Sequence, residues 1–251
     1  MRKFLTLFRR ETAVYFHSPA AYVFLFLFLL ITGFNFYVEV MQLNRQIAQV
    51  TVIQAFFDSA FFWFSFLFMF PLITMRLFSE EYKMGTIESL MTAPVRDLQV
   101  VLAKFASAFV FYVVLWLPSL LYFAVFQRQT GFPVAESAGA FVGAYVMLLL
   151  MGMFYLSIGC LASALTKNQI AAAIMCFAAI VFMFFMGLLS FFTPSVSTFL
   201  QDLTAYLSPV HHMAEYSQGV FDSRPAVFYL SMTVFTLFLT FHAFQRRRWA
   251  S

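Results

Sequence analysis

Six stretches of this chain are too long and too apolar to fold as anything but membrane helices, and they leave little sequence for other structure. From Pro19 to Val38 there is no Asp, Glu, Lys or Arg, and about 20 such residues in a helix cross a hydrocarbon core of about 30 Å. Comparable runs follow at 57–75, 104–127, 138–165, 170–192 and 226–244. Only 10% of the 251 residues are charged and 63% are hydrophobic, whereas a soluble domain carries about a quarter charged residues. The pattern predicts an all-α polytopic integral membrane protein with six transmembrane helices and a single membrane domain over residues 1–251.

The segments between the runs differ in kind. Residues 1–18 place Met1, Phe4, Leu5, Phe8, Thr12, Tyr15 and Phe16 on one helical face and Arg2, Lys3, Arg9 and Arg10 on the other, which predicts an amphipathic helix lying in the membrane interface. Residues 76–103 hold the most charged residues of any segment between the runs, with Arg76, Glu80, Glu81, Lys83 and Glu88 within thirteen positions. A charge at the bilayer centre costs about 2.5–3.5 kcal/mol on insertion scales, so this elbow lies in water. Within it Gly85 breaks the run, Thr86 can cap, Glu88 suits a first helical turn and Pro94 stops further helix, predicting a short helix at 87–92. Pro71 stands just before the elbow and frees a backbone carbonyl there.

In 193–225, Val196, Phe199, Leu200, Leu203 and Leu207 recur at helical spacing, predicting an interfacial helix over 195–207. A second short helix follows from His211, closed by Gly219. Gly139 and Gly143 form a small-xxx-small pair that permits close helix approach, either within the chain or between two copies.

Charge sets the orientation. If the N-terminus is cytoplasmic, one side carries Arg2, Lys3, Arg9, Arg10, Arg76, Lys83, Arg96, Lys104, Lys167, Arg246, Arg247 and Arg248, twelve cations. The other carries Arg45, Arg128 and Arg224, three. By the positive-inside rule the elbow and both termini face the cytoplasm.

Several chemistries are missing. No Gly-x-x-x-x-Gly-Lys-Ser/Thr phosphate loop occurs, so any ATP is handled by another subunit, and the spans hold no Asp, Glu, Lys or Arg well away from their ends, which argues against an ion-coupled carrier. His211, His212 and Glu215 fall short of a supported zinc ligand set, and Cys160 and Cys176 sit in apolar runs as small hydrophobes. No nucleophile and base converge, and the basic residues follow topology rather than gathering into a nucleic-acid groove. No cofactor is expected on the chain. The 38 phenylalanines suit lipid, and those dense over 56–70 and 177–192 suggest an apolar pathway.

The motifs Met75-Arg-Leu-Phe-Ser-Glu-Glu81, Gly85-Thr-Ile-Glu-Ser-Leu-Met-Thr-Ala-Pro94, Leu165-Thr-Lys-Asn-Gln-Ile170 and the terminal Arg-Arg-Arg-Trp resemble the permease of type-2 ABC exporters, most closely its gliding-motility (Gld-type) branch. The resemblance implies a dimeric permease in a bacterial inner membrane, with two separate ABC ATPase subunits that hold the ATP and Mg. It implies that Arg76, Glu80, Glu81, Lys83, Gly85, Thr86 and Glu88 couple to the ATPase. It further implies a connecting helix with Arg2, Lys3, Phe8, Arg9 and Arg10 and an outer helix with Phe199, Leu200 and Leu203 capping the pathway; in gliding bacteria an accessory membrane protein with a large outer domain accompanies such a permease, and whether this chain has one is open. The alternative is a polytopic anchor or scaffold for an ATPase that exports nothing.

Overall fold

In the structure, a computed structural model that describes residues 2–45, 50–86, 95–192 and 206–250, the described residues are helical throughout, with turns between. The helices are α1 (Arg2–His17), α2 (Pro19–Arg45), α3 (Val52–Asp58), α4 (Ala60–Thr74), α5 (Ser79–Met84), α6 (Asp97–Thr130), α7 (Ala138–Leu165), α8 (Gln169–Phe192), α9 (Pro209–Ser217) and α10 (Ser223–Ala250). Among the described residues six stretches are long and apolar enough to cross a membrane, the second running from Ala60 to Met84 through the turn between α4 and α5. An even number of crossings brings both termini to one end, where Phe244 of α10 packs on Phe78 before α5, 5.9 Å between ring centres.

The bundle is layered by burial. The spans formed by α4, α6 and α7 are more than half buried, at 61%, 56% and 61%, whereas those of α2, α8 and α10 are 17%, 22% and 28% buried. Lipid tails are as apolar as leucine, so nothing requires the outer helices to hide these faces. The 34-residue α6 has a length of about 51 Å, well beyond the hydrocarbon core, so both of its ends project into the interfaces.

Helix α7 is the central strut, and its glycines let neighbours approach. A Cβ on Gly152 would run into the Tyr112 ring of α6, and one on Gly159 into the Thr74 side chain of α4. The Gly139 and Gly143 pair is filled from within the chain: a Cβ on Gly143 would meet the Tyr216 carbonyl oxygen of α9 at 2.7 Å, and Gly139 faces the Phe221 ring.

At the end away from the termini, α3 folds back into the bundle with Val52, Ile53, Gln54, Phe56 and Phe57 buried. Asn35 of α2 holds the break between α3 and α4: its amide donates to the Phe56 carbonyl at 3.3 Å, and its carbonyl accepts from the Ser59 hydroxyl at 2.7 Å. The polar interruption near the end of the first span is thus the anchor of a helix break.

Overpacking a tight contact costs about 1–3 kcal/mol. Gly159→Val should therefore lower the thermal midpoint of the detergent-purified protein clearly more than Gly131→Ala, a left-handed helix end with open space around its Cβ, where about 1 kcal/mol is at stake. Equal midpoints in the two variants would contradict the close α4 to α7 packing.

Candidate functional site

At the end that carries the termini, three helices meet around one buried cation. Lys104 lies two turns inside α6 with its side chain only 2% exposed. Its ammonium donates to Glu11 Oε2 of α1 at 2.9 Å and lies 3.0 Å from Glu81 Oε1 of α5. Arg10 closes the ring from the solvent side, 2.6 Å from Glu11 Oε1 and 3.3 Å from Glu81 Oε1. The Phe78 ring lies beneath the Lys104 ammonium, 5.5 Å from Nζ to the ring centre, where the quadrupole adds attraction. Two cations and two carboxylates make the group neutral, the condition under which charge can be held away from water. Burial pushes the Glu11 carboxyl up, but Lys104 and then Arg10 beside it outweigh burial and hold it below the usual carboxylate range.

Why α1 turns this way follows from its spacing. Phe4, Phe8 and Tyr15 pack against the core as the periodicity predicts, but Leu5 is 54% exposed, while Leu7 and Glu11 are buried. Positions 4, 7, 8, 11 and 15 form the inner stripe, because Lys104 draws Glu11 inward and the helix rotates with it. The helix therefore packs on α6: Tyr15 stacks on Phe111 at 4.9 Å and Phe16 meets it edge-on at 6.0 Å.

The turn between α4 and α5 is held by side chains from other helices. Helix α4 stops at Thr74, where Leu77 N–H donates to the Thr74 carbonyl rather than continuing the α ladder. The Ile73 carbonyl accepts instead from the Tyr15 hydroxyl of α1 at 2.9 Å. Ser163 of α7 accepts from the backbone N–H groups of Phe78 and Ser79 at 3.0 and 3.2 Å and donates to the Met75 carbonyl at 3.3 Å. One hydroxyl thus meets two of the orphan donors that a helix start leaves unpaired. Glu80 and Glu81 stand in the first turn of α5 and Lys83 in its last, the order the helix dipole favours. Gly85 ends the helix in the left-handed region at φ 71°, as its place in the sequence suggests.

These contacts sort the elbow residues. Glu81 faces inward to Lys104 and Arg10 with its side chain 19% exposed, Glu80 is half-buried, and Arg76, Lys83, Gly85 and Thr86 are exposed. Met84 is 67% exposed at the tip. On α1, Lys3, Arg9 and Arg10 are exposed and Phe8 is half-buried; Arg2 opens the helix. Glu88 and the helix expected at 87–92 lie outside the described residues, as do Phe199, Leu200 and Leu203. Sequence patterning does not single out Glu11, the Tyr15 hydroxyl, Lys104 or Ser163 as partners. The usable signal is Lys104 itself, a cation inside an apolar helix that demands a buried counter-ion.

At the opposite end the two histidines part company. His212 is buried with Nδ1 3.1 Å from the Tyr229 hydroxyl, and burial, with His211 adding to it, lowers its pKa to about 4. His211 instead meets Glu215 at 3.2 Å on the exposed side. Among the described residues no three His, Cys, Asp or Glu side chains come together as metal ligands.

The sequence pattern of the ABC-2 family transporter proteins matches residues 24–243, from the first span to the last. The chain belongs to the ABC-2 transporter family. It is accordingly a multi-pass membrane permease of the ABC transporter type. No curated protein matches this sequence. The matched region of this ABC-2 permease contains Lys104, Glu81 and Ser163, while Arg10 and Glu11 precede it.

Removing one partner of a buried ion pair costs about 3–5 kcal/mol, whereas a half-exposed pair contributes about 0–1 kcal/mol. Lys104→Ala should therefore lower the unfolding midpoint in detergent far more than Arg10→Ala, whose side chain is 53% exposed; similar losses would mean that the burial of Lys104 is not what matters. Because folded Glu11 holds a lower pKa than the unfolded chain, its stabilisation is complete above the ordinary carboxylate value of about 4.3 and is lost as pH falls through the folded value. Limited proteolysis of α1 should accelerate below about pH 4, and Glu11→Gln should remove most of that pH dependence.

Proposed function

We propose that the chain is the transmembrane permease subunit of an ATP-driven type-2 exporter, that two copies form the translocation pathway, and that each couples through the 76–94 elbow to a separate ATPase holding ATP and Mg. The observation that supports this best is the surface at the charged end. There Arg76, Lys83, Met84, Gly85 and Thr86 are exposed, and the link between Arg10 and Glu81 sets them beside the cationic side of α1. A methionine 67% exposed beside the charged residues of the elbow is a natural anchor for a protein partner, because the fully buried centre of an interface is apolar and its rim polar.

In this reading Arg76, Glu80, Lys83, Gly85, Thr86 and Glu88 meet the ATPase, while Glu81 fastens the elbow to the permease. Arg2, Lys3, Arg9 and Arg10 line the connecting helix beside the dock, with Phe8 on its inner stripe against the core. Phe199, Leu200 and Leu203 cap the pathway from outside. The twelve-to-three distribution of cations supports an elbow and termini in the cytoplasm of a bacterial inner membrane. The Gld-type branch rests on the elbow and terminal motifs; an accessory protein with a large outer domain accompanies that branch in gliding bacteria and does not follow from these residues. ATP binding that closes the ATPase pair can shift the permease only if the elbow binds the two ATPase states with different affinity.

Lys83→Glu combined with Met84→Glu should reduce co-purification of the cognate ABC ATPase at least tenfold, or about 1.4 kcal/mol, with membrane insertion unchanged. Undiminished association would sink the dock. In proteoliposomes of the assembled complex, a fluorescent amphiphile that stays put while ATP is consumed would favour an anchor or scaffold over an exporter.

A further inference from the structure

The ion ring does more than hold α1 in place. Helix α1 contributes one cation and one anion, α5 one anion and α6 one cation, so neither α5 nor α6 can slide away without leaving an unpaired charge in a poorly solvated place, and α1 cannot leave without giving up its ion pairs to both. Such a contact resists small displacements and gives way only as a whole, unlike an apolar face that can slip. The Lys104 ammonium is held further by the Phe78 ring beneath it, and α1 is fixed to the same span by the stack of Tyr15 on Phe111. Among the described residues, Glu81 to Lys104 is the ion pair that joins the elbow to the third span.

We propose that Glu11 and Lys104 are positioning residues that lock α1, the α5 elbow and the third span into one rigid body, so that movement of the elbow is delivered directly to α6. The inference rests on the reading of the elbow as an ATPase dock. It adds which span receives the displacement and which two residues, neither of them on the docking surface, make the transfer stiff. Their placement suits force transfer, because Lys104 is two turns from the start of α6, where a lateral push acts on a long lever rather than on a frayed terminus.

The test uses the complete permease with its ATPase in nanodiscs, spin-labelled at Val14 of α1 and Leu98 of α6, both more than half exposed, with Cys160 and Cys176 replaced by alanine. In the otherwise unchanged protein the distance distribution should be narrow and the same without nucleotide and in the vanadate-trapped state. In Glu11→Leu with Lys104→Met, which removes both charges and keeps apolar bulk, the ATPase should still associate and hydrolyse ATP. The distribution should then broaden and shift on trapping, and movement of a fluorescent amphiphile per ATP hydrolysed should fall at least tenfold. Lys104→Arg, which keeps the cation, should restore the narrow distribution. A distance that already changes with nucleotide in the unchanged protein, or one that stays narrow in the double variant, overturns the inference while leaving the dock intact. An ATPase that fails to associate with the unchanged permease instead removes the dock, and this inference with it.

Discussion

The ammonium of Lys104, shut away from water between the carboxylates of Glu11 and Glu81, is the constraint around which this end of the molecule is built. A lysine 2% exposed within a mainly apolar helix is tolerable only with counter-charge at contact distance. That requirement rotates α1 so that Glu11 points inward, brings α5 back under α6, and leaves Arg10 to balance the second acid. The amphipathic N-terminal helix is therefore bolted to the third span.

The same end shows how a helix break is stabilised without water. The residues between α4 and α5 cannot complete the α ladder, and a desolvated backbone group left unpaired costs more than most single contacts return. Tyr15 and Ser163, from α1 and α7, supply the missing partners. The far end uses a parallel device, with Asn35 and Ser59 satisfying the break between α3 and α4 and the Tyr229 hydroxyl meeting His212. Between the two ends, Gly152 and Gly159 let α6 and α4 close onto α7, so that dispersion contacts, the main attraction available in lipid, act at short range.

Much of the architecture is legible in the residues. Six spans, the break at Gly85, the N-terminal amphipathic helix and the close approach at Gly139 and Gly143 all follow from run length, local turn chemistry or residue size. The inner face of α1 departs from the apolar pattern at Leu5, Leu7 and Glu11, because an apolar tally treats a glutamate as outward-facing unless its counter-ion is known. The same tally begins the third span at Lys104, whereas α6 starts at Asp97 and carries the lysine inside. The two histidines of α9 look equivalent in the sequence and are not: one is buried against Tyr229 and the other pairs with Glu215.

The sequence by itself determined that the chain crosses a membrane six times, and where its charged elbow lies, since hydrophobic length and charge density are properties of contiguous residues. Only the tertiary structure decided which charges neutralise one another and which side chains complete a broken helix. Glu11 and Lys104 stand 93 positions apart, and Ser163 lies 85 beyond Phe78. No local rule of spacing couples residues so distant. Packing in a low dielectric does, because there an unpaired charge or N–H has no solvent to turn to.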